Sequence, residues 1–124
     1  MTSAAELKLQ RRNTAAFIDA NPTTLVLIPR TRQRDGVGAR FVDGNPRPPQ
    51  VLRLIDQSTE LSPRPGVVQT SDGRERLIDF MLLGRHDATI GLWDYWTDLN
   101  GTWEVAQVFP PNGYEVRAAV VRHA

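Results

Sequence analysis

A mainly β domain, folded as a small antiparallel barrel or sandwich with an N-terminal helix and two long loops, is what this 124-residue sequence predicts. Three observations carry the expectation. A helix-start signal stands at the N-terminus, strand-length apolar stretches separated by short turns fill the last fifty residues, and the proline- and glycine-rich stretches gather in two segments without periodicity. A chain of this length supports a single core, so residues 1–124 are expected to form one domain.

Ser3-Ala4-Ala5-Glu6 has the form of a capping box, in which the hydroxyl and the Glu side chain satisfy the first free N–H groups of a helix. Helix formers continue to Ala20, with Leu7, Leu9, Ala16, Phe17 and Ala20 as the expected apolar side, and Asn21-Pro22 supplies the stop. The predicted helix therefore spans about 3–20, and the β-domain about 23–123. Thr23 to Pro29 reads as a strand around Leu25-Val26-Leu27-Ile28, and Gln50 to Asp56 as another. The four stretches Arg76–Leu83, Ala88–Trp93, Trp103–Phe109 and Tyr114–Val121 follow. Gly84-Arg85-His86-Asp87, Leu99-Asn100-Gly101-Thr102 and Pro111-Asn112-Gly113 reverse the chain between them, Asn-Gly being a strong hairpin signal.

The predicted long loops are 30–49, with a short β-excursion at Ala39–Val42, and about 58–74. Loops of this length carry binding or become ordered by a partner. Lys8 is the only lysine and the other fourteen basic residues are Arg, a side chain suited to bidentate and stacked contacts. Arg30, Arg32, Arg34, Arg40 and Arg47 all fall in the first loop and are candidate contacts to a partner. In a β-meander Trp93 and Tyr95 point to one face and Trp96 to the other, which makes Tyr95 and Trp96 a candidate aromatic anchor for a neighbour.

Catalytic and cofactor chemistry is not expected. The chain has no Cys, which excludes disulfides, thiolate catalysis and Cys-based zinc sites. His86-Asp87 falls in a predicted turn and His123 at the chain end, without metal-ligand spacing. Asp35-Gly36-Val37-Gly38 lacks the strand-then-helix setting of a phosphate loop, and Asp94, Asp98 and Glu104 read as hairpin carboxylates rather than a sugar-cleaving pair. A net charge of +1 sets up no global field for nucleic acid. No apolar run reaches the roughly 20 residues of a membrane span, and the N-terminus has no signal-peptide pattern, so a cytosolically made chain without membrane contact is expected.

Asn-Pro-Thr-Thr-Leu (21–25) before an apolar strand ending Ile-Pro-Arg (28–30), then Pro-Arg-Pro-Pro-Gln-Val-Leu-Arg-Leu-Ile (46–55), resembles the head-to-tail stopper proteins of actinobacterial siphophages. Phe80–Ala88, Trp103-Glu104-Val105 and Gly113–Ala118 extend the resemblance over nearly the whole chain; more distantly the chain is similar to head-closure and head-tail joining proteins. The resemblance implies a small β-barrel carrying long loops and a virion protein of the phage neck, made in the host cytoplasm. It also implies a homo-oligomeric ring, a hexamer or dodecamer, between the head-tail adaptor ring and the tail terminator or tail tube, which retains packaged DNA and makes unspecific contact with that double-stranded DNA. On that reading 30–49 contacts an adjacent ring, while 58–74, with Ser62, Arg64, Val67, Val68 and Gln69, reaches the lumen as the gate. The helix suits packing on the barrel or on the next subunit equally. A tail terminator and a single-stranded nucleic-acid binder of OB type, stacking bases on Trp96 or Tyr95, are the alternatives.

Overall fold

Ser3 caps the N-terminus of helix α1 (Ala4–Asp19), its Oγ accepting from the Glu6 N–H at 3.1 Å, as the capping-box pattern requires. The computed structural model describes residues 3–36, 38–56, 67–71, 73–77 and 80–123. Thr14 and Ile18 are the buried positions of α1, with Leu7 half-buried, whereas Leu9 and Phe17 are exposed. This corrects the expected stripe. Steps of seven and four residues keep Leu7, Thr14 and Ile18 on one line of the helix, while Leu9, Ala16 and Ala20 fall on the far side.

Strands β1 (Thr23–Leu25), β4 (Gln50–Asp56), β7 (Phe80–Arg85), β8 (Tyr95–Asp98), β9 (Gly101–Val108) and β10 (Glu115–His123) build one antiparallel sheet in the order β1-β4-β7-β10-β9-β8. Ile28, just beyond β1, then pairs with Tyr95 of β8, the two residues exchanging bonds of 2.9 and 3.0 Å. The sheet thereby curls into a nearly closed six-stranded barrel. Two further hairpins stand outside it: β2 (Arg30–Asp35) with β3 (Gly38–Asp43), and β5 (Val67–Gln69) with β6 (Glu75–Leu77). No helix among the described residues is long and apolar enough to cross a membrane.

The barrel interior holds Leu27, Leu52, Leu82, Val105, Ala118 and Val120, all fully buried, around Trp96 and Trp103, whose rings stack with centroids 5.6 Å apart. Strand alternation sends the intervening residues outward. A register shift places Ala106 between the pairs Ala119↔Gln107 and Val120↔Val105, so Val105 and Val108 both face the interior although three positions apart. Outside β9 and β10, Ala106, Ala119 and Val121 form a second apolar cluster with Val68 of β5. α1 lies across β4 and β7, where the Arg53 guanidinium covers the Phe17 ring at 3.8 Å and donates to the Phe17 carbonyl at 2.7 Å.

Several predicted elements differ from the fold, among them Arg76–Leu83, expected as one strand, which covers parts of β6 and β7. The stretch 30–49, expected as a loop with a β-excursion at 39–42, is largely a regular ribbon, pairing from Arg30↔Asp43 to Asp35↔Gly38. An exposed two-stranded ribbon needs no apolar period, so its sequence resembles a loop. In the second predicted loop, residues 57–66 lie outside the described residues, but Val67–Gln69 pairs with Glu75–Leu77. Ala88–Trp93 is not a strand: the Thr89 N–H and carbonyl bond the Gln50 side-chain amide at 2.7 and 2.9 Å, and Asp94 N–H closes a turn on Gly91 O. A side-chain amide has taken the place of a ladder partner, and the strand begins at Tyr95 instead.

Gly84 marks the tightest point of the barrel wall, where a Cβ would lie 2.5 Å from the Ala88 Cβ and 3.0 Å from a Leu52 methyl. Gly84→Ala is expected to destabilise the fold by about 1–3 kcal/mol through overpacking, read as a lower urea midpoint with unchanged slope.

Candidate functional site: the clamped base of the ribbon

Pro29 and Gly44 pinch the β2–β3 ribbon where it leaves the barrel, the Gly44 N–H bonding the Pro29 carbonyl at 2.7 Å and the Arg47 N–H the Leu27 carbonyl at 2.9 Å. Two buried carboxylates, Glu104 and Asp94, each 1 % exposed, lie beneath this neck. A buried carboxylate needs a cation and a full set of donors, and the ribbon segment supplies both cations.

Arg30 donates from Nε to the Trp93 carbonyl at 2.8 Å and from a terminal nitrogen to Glu104 Oε2 at 3.0 Å. Its guanidinium also lies over the Tyr95 ring, 4.6 Å from the centroid, and 5.5 Å from that of Phe41. Glu104 Oε1 accepts from the Ser71 N–H at 3.3 Å and meets His123 Nε2 at 2.7 Å. His123 Nδ1 faces Arg76 at 3.2 Å. Arg76 can only donate, so we assign Nδ1 as the acceptor and Nε2–H as the donor to Glu104, the neutral tautomer that satisfies both neighbours.

Arg47 grips Asp94 with two bonds, 2.7 Å from Nε and 3.2 Å from the terminal nitrogen, and the Gly91 N–H adds a third at 3.0 Å. The bond to Asp94 raises the Arg47 pKa above its ordinary value, outweighing the desolvation that would lower it. Tyr95 donates its phenol proton to Asp43 at 2.5 Å, which ties the ribbon to β8 and raises the phenol pKa. Fixed donors hold the oxygens of Glu104 and Asp94, which anchor the ribbon to the barrel.

The five candidate arginines therefore divide. Arg30 and Arg47 bind inside the subunit, with side chains 18 % and 25 % exposed, and are corrected from docking contacts to clamps. Arg32, Arg34 and Arg40 lie exposed on the ribbon. The candidate anchor is corrected as well: Trp96 is stacked in the core, Tyr95 is half-covered by Arg30, and the partly exposed indole is that of Trp93. Among the candidate lumen residues, Ser62 and Arg64 lie outside the described residues and Val67 takes part in β5 through its backbone. Val68 is buried against β9 and β10, and Gln69 is exposed with its amide donating to the Gly73 carbonyl at 3.3 Å.

His86 and Asp87 are exposed in the turn that follows β7, and among the described residues no group of three His, Cys, Asp or Glu could hold a metal ion. Two grooves flank the clamped base. One, of about 310 Å³, runs between the ribbon and the β5–β6 turn and is lined by Arg32, Phe41, Gln69, Ser71 and Trp93 among others. The other, of about 540 Å³, follows the incompletely closed seam between β1 and β8. Comparison of the chain with protein-family models, with curated proteins and with solved structures found no match.

Arg47→Met should lower stability by about 3 kcal/mol, because it leaves the Asp94 charge buried without its cation. Adding Asp94→Asn to it should restore part of that loss in the same urea titration. Asp98 gives a pH signature: donation from the Trp103 indole, and from the Asn100 N–H, holds its carboxyl below the ordinary range. Its contribution is therefore present above the unfolded-state pKa and lost as pH falls through the lowered folded value, so Asp98→Asn should flatten the acid limb of stability against pH.

Proposed function

We propose that the chain is a ring subunit of the neck of a long-tailed bacteriophage, a head-to-tail stopper that joins the DNA-filled capsid to the tail and performs no catalysis. The observation that carries this reading is the nearly closed antiparallel barrel with projecting hairpins, which agrees with the barrel that the sequence resemblance implies. A ring subunit needs a stiff body for lateral packing and segments that reach its neighbours. Here the Arg30 and Arg47 clamps hold the ribbon at a fixed angle to the barrel, so Arg32, Arg34 and Arg40 are presented to the adjacent ring with little ordering entropy to lose.

In this reading the chain sits between an adaptor ring and the tail terminator or tail tube, and the 57–66 segment, which enters β5, is the gate that holds packaged DNA. Leu9, exposed on the side of α1 away from the barrel, gives the helix a second, lateral contact point.

Purified protein added to DNA-filled, tailless heads should form a new ring below the portal in electron micrographs, with free DNA reduced. Binding to isolated tails but not to heads would make it a tail terminator, and binding to neither would defeat the neck reading. Shortening 58–65, which spares β5 and its buried Val68, should release DNA while the rings remain attached.

A further inference from the structure

Trp93 has φ 71°, a conformation that a bulky side chain rarely adopts. It is the third residue of the turn Gly91-Leu92-Trp93-Asp94, closed by the Asp94 N–H on the Gly91 carbonyl at 3.1 Å, and positive φ at that position ordinarily selects Gly or Asn. Three constraints hold it there: its N–H bonds the Val105 carbonyl, its carbonyl receives Arg30, and its ring meets Phe41 edge-on at 5.6 Å. A glycine would satisfy the same backbone without strain, so the indole is retained at a conformational cost. Strain of this kind marks a place where a side chain is needed for something other than the fold.

The indole lines the groove of about 310 Å³ between the ribbon and the β5–β6 turn. Cross-strand register puts Arg30, Arg32 and Arg34 on one ribbon face with Phe41 and Ala39, and Arg32, Phe41 and Ala39 line this groove. Arg32 and Arg34 repeat along the strand at about 6.7 Å. Both are exposed, and neither has a carboxylate partner among the described residues. Asp43 shares this face opposite Arg30 and accepts from the Tyr95 hydroxyl, and Glu104 and Asp94 are paired with Arg30 and Arg47, so the exposed cation lining the groove is Arg32, with Arg34 next to it along the strand. Gln69 and Ser71 supply polar groups on the opposite wall.

From this juxtaposition we infer that the groove is a binding site for a single-stranded nucleic acid, one base lying against Trp93 and Phe41 and its flanking phosphates on Arg32 and Arg34. Aromatic faces beside a cationic track are what such ligands require. A groove of this size admits one splayed base and excludes a paired helix. The inference does not depend on the neck reading, and it assigns to a nucleic acid the Arg32 and Arg34 side chains that the neck reading gives to the adjacent ring.

Intrinsic fluorescence reads the site directly. Trp96 and Trp103 are 5 % and 3 % exposed, leaving Trp93 as the indole that a ligand can reach. An oligothymidylate of about ten nucleotides should quench the emission saturably at low salt. Its affinity should fall with salt, and Arg32→Ala and Arg34→Ala should each flatten the logarithmic salt dependence by about 0.7. Trp93→Gly should weaken binding about tenfold in a gel-shift or anisotropy titration, while the melting temperature stays level or rises as glycine relieves the backbone. If Trp93→Gly impairs folding, the two exposed Arg variants still decide the matter. Absence of saturable quenching, binding indifferent to Arg32 and Arg34, or equal binding of a duplex of the same length or of polyglutamate would overturn the inference.

Discussion

The burial of two carboxylates under the neck of the β2–β3 ribbon is the constraint on which the rest of this structure depends. Glu104 projects from the outer side of β9 and Asp94 precedes β8, and each is removed from water at the corner where the barrel closes. A charge in that position is tolerated only with its cation in place. Arg30 and Arg47, on either side of the ribbon, provide the cations, so the ribbon is anchored by the same contacts that keep the corner folded. Closure of the barrel through Ile28 and Tyr95 lies between the clamps and would be a weak single bridge without them.

The consequences reach both ends of the chain. Glu104 also gathers Ser71 from the β5–β6 hairpin and His123 near the end of β10, and Arg76 completes the arrangement from β6. One side chain thus connects the ribbon, the second hairpin and the terminal strand. The hairpin that emerges from the 57–66 segment is held twice, by this polar network and by Val68 in the outer apolar cluster.

Much of the architecture was legible before any coordinates. Ser3, Asn21-Pro22 and the alternation in Gln50–Asp56 located α1 and β4, and the C-terminal pattern gave β9 and β10 to within a few residues. The apolar residues of α1 do not share one helical phase, and its buried face includes Thr14, a polar residue that no apolar pattern selects. The composition of Ala88–Trp93 suits a strand, but its backbone bonds to Gln50, thirty-nine positions earlier. Of the site, the row of arginines was visible in the sequence, but its division between partly buried clamps and exposed side chains was not.

Local signals alone determined the helix start, the reversals and the mainly β character, since caps, turn residues and alternation act over a few positions. The single-domain expectation followed equally directly from length and composition. Only the tertiary structure decided which arginines are clamped inside the subunit and which are exposed, that Trp96 faces inward while Trp93 lines a groove, and that Glu104 rather than any turn carboxylate is the centre of a network. Arg30 meets Glu104 across seventy-four positions and Arg47 meets Asp94 across forty-seven. No local pattern encodes such pairs, because they arise from the curvature that brings the two open edges of the sheet together.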